Sequence, residues 1–175
     1  IALLAIPGML LAQPNVAAVP SNQAATFDQI LQRLTGPASL SASSTAYDAD
    51  LERMRTVLPA GDLAREVQFR SVYCGSSTWR DPIAGLAYSD AALALARDMK
   101  DTASVARALL CRTEYVMLTS GTQRGLPDVD KAVDLLANGR EPQLLAESLE
   151  TRGDILSLLG EQAKAMLDFQ RARAA

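Results

Sequence analysis

The sequence predicts an all-α chain of about eight helices, paired into a solenoid of helical hairpins. Three observations carry this reading. Beyond residue 26 apolar residues recur at intervals of three and four in nearly every segment, and no stretch alternates apolar with polar residues as a half-buried strand does. Alanine and leucine abound while aromatic residues make up only 5% of the 175, a balance that favours helices over a β-sandwich or barrel. A helix-pair signature also returns three times along the chain. At 49% hydrophobic and 21% charged the chain can fold, and its length suits one domain.

Residues 1–12 (IALLAIPGMLLA) are almost wholly apolar. They are too few to span a bilayer, which takes about 20 residues, but they fit the apolar region of a secretory signal. Cleavage after Ala12 or Ala18 is the expectation, and no cysteine follows to take a lipid anchor. The chain starts at Ile1 without a basic leader, as a signal cut internally would. The competing reading is a buried N-terminal helix. Residues 13–25, with two prolines, read as a flexible leader, so the folded domain is expected over 26–175.

Phe27, Ile30, Leu31 and Leu34 then mark a first short helix that stops at Gly36 and Pro37, and 40–45 reads as a loop. Tyr47, Leu51, Met54 and Leu58 mark a second helix, ended by Pro59. A third starts at Gly61-Asp62 and reaches about Gly75. Five more are expected over 82–99, 102–119, 127–138, 142–159 and 161–174. Arg70-Ser71-Val72-Tyr73, Arg112-Thr113-Glu114-Tyr115 and Arg152-Gly153-Asp154-Ile155 carry one signature. Each is followed by a small residue and, four later, a bulky one: Ala91/Leu95, Ala132/Leu136 and Ala165/Phe169. That alignment defines repeats over about 62–99, 102–140 and 142–175, with longer inter-helix loops (SSTWRDPIAG, SGTQRGLPD) in the first two. Stacked pairs of this kind bury one continuous core.

The last copy, AESLETRGDILSLLGEQAKAMLDFQRARAA, resembles a tetratricopeptide repeat. Gly153 matches that family's small residue in the first helix, Gly160 its turn, and Ala165, Phe169 and Ala172 its small-aromatic-small series. Arg70, Arg112 and Arg152 depart from it, standing where the family has leucine. DPIAGLAYSDAALALARDMKDTASVARALLCRTEY together with LAESLETRGDILSLLGEQAKAMLDF is further similar to the exported repeat region of membrane-anchored bacterial signalling proteins. In those, a signal peptide and periplasmic repeats precede a transmembrane helix and a cytoplasmic diguanylate cyclase (GGDEF) or histidine kinase domain. The resemblance implies a TPR-like fold and a non-catalytic, periplasmic sensor or protein-interaction role. The output domain would lie outside this chain, and the membrane would be met only through regions outside it. The alternative is a free-standing periplasmic adaptor.

By the same resemblance, ligands lie along the face built by the first helices. That face would carry Arg65, Gln68, Val72, Arg107, Leu110, Glu114, Glu147, Glu150 and Asp154, running from basic to acidic. It suits a protein or peptide ligand, or the protein's own downstream domains, and leaves a homodimer open. Arg70, Arg112 and Arg152 are expected as structural ion pairs, with Asp134 and Asp168 as partners for the last two. Cys74 and Cys111 stand out of register in the repeat alignment, which favours two buried thiols over a disulfide. Trp79 reads as a loop anchor or a contact residue.

Composition narrows the chemistry. With no histidine there is no Ser-His-Asp or Cys-His arrangement and no His-based metal or haem site. The reading assigns no catalytic residue, cofactor or metal, and a net charge of −3 speaks against nucleic acid. At the far end Met166, Leu167 and Phe169 cannot all face the preceding helix. Apolar area is therefore expected to stay uncovered there, and the natural chain to continue.

Overall fold

The computed structural model describes residues 21–36, 43–77 and 81–175; the signal-like segment 1–12 and Trp79 lie outside the described residues. Among these residues the chain is all helical, with eight α-helices and no strand. They are α1 (Ser21–Thr35), α2 (Ser44–Thr56), α3 (Leu63–Ser77), α4 (Pro82–Met99), α5 (Thr102–Ser120), α6 (Leu126–Leu136), α7 (Pro142–Leu158) and α8 (Gln162–Ala174). Consecutive helices pack on one another, and α5 also touches α3 and α7, so first helices meet across successive pairs.

Local chemistry sets most of the boundaries. The side chains of Ser43, Asp62, Asp81 and Asp101 each accept a hydrogen bond from a backbone N–H three residues on, satisfying donors that a helix start leaves unpaired. Pro82 and Pro142 open α4 and α7, where a missing N–H costs nothing. The tight α7–α8 turn runs through Gly160 at φ 80°, a left-handed conformation that favours glycine. Two boundaries move from the sequence reading. Residues 21–25, inside the expected leader, are helical as part of α1, which Ala24 and Ala25 favour. α2 starts at Ser44, inside the expected loop, because Ser43 caps it.

The repeat has a constant pitch of 40 residues, and this corrects the alignment. Second helices begin at 82, 122 (where a 3₁₀ turn, Thr122–Gly125, leads into α6) and 162, and the first helices α5 and α7 begin at 102 and 142. Residues 81–98 and 121–138 bury and expose the same positions one for one. The equivalent small residues are the buried Ala92, Ala132 and Ala172; Ala91 is exposed, and Ala165 corresponds instead to Gly85 and Gly125. The expected loop SGTQRGLPD is therefore mostly helix, with Ser120 inside α5, Thr122–Gly125 in the 3₁₀ turn and Leu126–Asp128 in α6. The tetratricopeptide unit is shorter, about 34 residues.

One core cluster runs from α3 to α7 through Ala92, Ala96, Ala106, Leu109, Leu136 and Ile155, and a second joins α1, α2 and α3 around Phe27, Ile30, Met54 and Phe69. Small residues let the helices close up. A methyl group on Gly85 would overlap the ring of Tyr115, and one on Gly153 would lie 2.6 Å from the ring of Phe169. Tyr115 is fully buried and donates its hydroxyl to the Cys74 carbonyl at 3.1 Å, so it has no free direction in which to yield. Gly85→Ala is accordingly expected to cost about 2 kcal/mol, lowering the melting temperature by roughly 4–8 °C in a thermal scan.

Candidate functional site: the charged face of the first helices

Ion pairs hold the helices of the stack together, and the first-helix charges that enter none of them form the candidate site. Arg112 on α5 bridges Asp90 on α4 and Asp128 on α6. Arg152 on α7 bridges Asp130 on α6, at 3.1 Å, and Asp168 on α8, through two bonds of 2.7 and 2.8 Å. The spacings are identical: each arginine stands 22 residues after one aspartate and 16 before the other. Each guanidinium thus clamps the second helix of its own pair to that of the pair before, using the planar fork that suits carboxylates. The structural role expected of these arginines holds, but the partner expected of Arg112 does not. Asp134 is exposed and outside the clamp; Asp90 and Asp128 take its place.

Arg70 is a different case. It pairs with Glu66 one turn back on α3 at 2.6 Å and lays its guanidinium 4.6 Å from the ring centre of Tyr88. Tyr88 occupies the position of Asp128 and Asp168 in the 40-residue register. Burial pushes its phenol up to about 12, so it stays neutral. Val72 occupies the position of Arg112 and Arg152. The first pair therefore carries no clamp of the later kind.

The disulfide expectation is also corrected. Cys74 on α3 and Cys111 on α5 are bonded, with Cα atoms 5.7 Å apart, inside the range a disulfide requires. Both are buried beside Tyr115 and Leu86. In the 40-residue register Cys74 stands at the position of Glu114 and Cys111 at that of Ser71, so the pair is joined by the packing of α3 on α5 and not by repeat equivalence.

Of the predicted face residues, Arg65 is spent on the fold, bonded to Asp28 at 2.8 Å and to Asp62. Leu110 is buried in the main core, and Val72 is half-buried, packed against the α1–α3 cluster. Gln68, Arg107, Glu114, Glu147, Glu150 and Asp154 are exposed. Loss of Arg65 removes the basic front end, leaving an acidic stretch beside one guanidinium. Arg107 and the like charge of Glu114 act on Glu147 across the α5–α7 boundary, and the like charge of Glu150 acts on it from one turn along α7. Burial is nevertheless the largest influence on Glu147 and pushes its carboxyl above the usual range, although the residue keeps solvent-facing area. Among the described residues Arg107, Glu147, Glu150 and Asp154 enter no ion pair within 4.0 Å.

The sign of the Glu147 shift fixes a pH effect. A carboxyl whose folded pKa lies above its unfolded value holds more protons in the folded chain, so stability falls as pH rises through that interval. Glu147→Gln removes the effect. The variant's melting temperature is expected to exceed the wild type's by a margin that opens above the ordinary glutamate pKa and is constant at neutral pH. A margin independent of pH would contradict the assignment.

The outer surface matches expectation at the far end, where Met166 and Leu167 are 57% and 56% exposed and Phe169 is half-buried. No described helix is long and apolar enough to cross a membrane, and no described group of histidine, cysteine, aspartate and glutamate side chains could hold a metal ion. No family model, curated protein or solved structure matches the chain.

Proposed function

We propose that this chain is a non-catalytic interaction module whose working surface is the first-helix face of α5 and α7, and that it binds a cationic peptide segment there. The observation that carries the reading is the contrast in charge use. Arg112, Arg152 and four aspartates are locked into clamps, whereas Glu147, Glu150 and Asp154, three and four residues apart on one exposed flank of α7, enter no ion pair within 4.0 Å. Like charges three and four residues apart on a helix repel one another, and a cationic ligand would relieve that cost.

The wider setting rests on the resemblance to exported repeat regions. On that reading the module is the periplasmic sensory part of a membrane-bound signalling protein, a diguanylate cyclase whose GGDEF domain lies downstream. A buried disulfide supports an oxidising compartment, since cytosolic chains rarely keep one. Two tests address this setting. Fusion of alkaline phosphatase after residue 175 should give periplasmic activity in a bacterial host. The gene beyond codon 175 should encode a transmembrane segment and then a GGDEF domain. A stop codon there, with export intact, would transfer the reading to a free-standing periplasmic adaptor; a kinase domain would transfer it to a histidine kinase sensor. Cytoplasmic retention would overturn both.

A further inference from the structure

The stack is joined in two chemically different ways. The junctions around α5 and α7 carry the arginine clamps Asp90–Arg112–Asp128 and Asp130–Arg152–Asp168. At the junction around α3 every clamp position is changed or diverted. Val72 and Tyr88 stand in place of the arginine and its own-pair aspartate. Asp50, in register with Asp90 and Asp130, is turned to Arg33 of α1 at 2.8 Å. The ion pairs described for α1–α3 stay within that unit, Arg33 to Asp50, Arg65 to Asp28 and Asp62, and Arg70 to Glu66, while Arg70 also reaches α4 over the ring of Tyr88. The second core cluster, around Phe27, Ile30 and Met54, ties the same three helices together. α3 meets α4 and α5 through the apolar packing of Val67 and the ring contact of Tyr73 with Tyr88, and the covalent link across that junction is the Cys74–Cys111 bond, with the hydroxyl of Tyr115 on the Cys74 carbonyl beside it.

We propose that this disulfide is a redox-controlled joint, which fixes the α1–α3 unit on the clamped α4–α8 body and whose reduction lets that unit open separately. The clamps contain no redox-active group and keep α4–α8 assembled in either state. The chemistry is thiol–disulfide exchange with a dithiol reductant. One reductant thiolate attacks a sulfur of the pair and displaces the other cysteine as thiolate, which takes a proton. The reductant's second thiolate then closes its own disulfide and releases the remaining cysteine, so two electrons pass to the protein as one S–S bond is exchanged for another. Cys74 and Cys111 are 2% and 7% exposed, so a reductant reaches them only after α3 has moved. Reduction should therefore be limited by opening of the joint and not by encounter with the thiol.

Hydrogen exchange read by mass spectrometry on the full chain, oxidised and after dithiothreitol, tests the proposal. Reduction is expected to speed amide exchange in α1–α3 by about tenfold or more and to leave α5–α8 within about twofold, as separately opening units behave. The rate of thiol release should rise and then level off as dithiothreitol increases. Cys74→Ala/Cys111→Ala should reproduce the reduced exchange pattern without reductant. Equal acceleration along the whole chain, no acceleration, a release rate linear in dithiothreitol throughout, or loss of the α5–α8 helices in the double variant would each overturn the joint.

Discussion

Arg152→Leu is expected to destabilise the fold by about 3 kcal/mol, because it strands Asp168 as a buried carboxylate without its partner. Asp168 is 3% exposed and receives both bonds of the Arg152 fork, with only a peripheral 3.5 Å contact from Arg171. Asp130, at the other side of the clamp, is half open to water and will tolerate the loss. The cost is therefore chiefly that of one desolvated charge, and removing that charge should recover most of it. Arg152→Leu/Asp168→Leu is expected to lie within about 1 kcal/mol of the wild type, since apolar replacement of a buried pair is often close to neutral. Urea unfolding of the three proteins checks both statements. A double variant as unstable as Arg152→Leu would show that the clamp supplies net stability beyond satisfying Asp168.

Loss of the disulfide is the second large effect. Closing a loop across 37 residues of sequence restricts the unfolded chain by about 4 kcal/mol at 25 °C on the chain-entropy account. Cys74→Ala/Cys111→Ala and the reduced wild type should both lose up to about this amount, with the urea midpoint falling in parallel. Agreement between the two is the informative part. If the variant lost much more than the reduced protein, the missing sulfur atoms packed beside Tyr115 and Leu86 would be responsible, and not the cross-link.

These effects show where the sequence was legible and where it was not. The helices were, because caps such as Asp81 and Asp101 and stops such as Gly121 announce themselves locally. So was the structural use of the arginines, because a half-buried guanidinium needs an acid. Which acid was harder to see. Asp134 lies two residues beyond Ala132, about 200° around the helix, and so points away from the side that Ala132 buries. The pattern that does identify the clamp, an aspartate 22 before and 16 after each arginine, is present in the sequence. Arg70 does not share it: it stands 42 residues before Arg112 and falls outside the 40-residue register. An alanine-rich helix also offers several small residues per turn, so Ala91 served as well as Ala92 until burial separated them. The face residues Glu147, Glu150 and Asp154 were legible as exposed positions; that Arg65 is withdrawn to Asp28 depends on how α1 packs against α3, which no local pattern encodes.

The claim that the unpaired acidic face is a binding surface can be tested by titrating the protein with a lysine-rich octapeptide and with its glutamate-rich counterpart. Wild type should be compared with Glu147→Gln/Glu150→Gln/Asp154→Asn by calorimetry at two salt concentrations. The lysine-rich peptide is expected to bind the wild type, to weaken as salt rises, and to lose its binding in the triple variant while that variant melts no lower than the wild type. No binding of the lysine-rich peptide, or binding that the triple variant retains, would contradict the account.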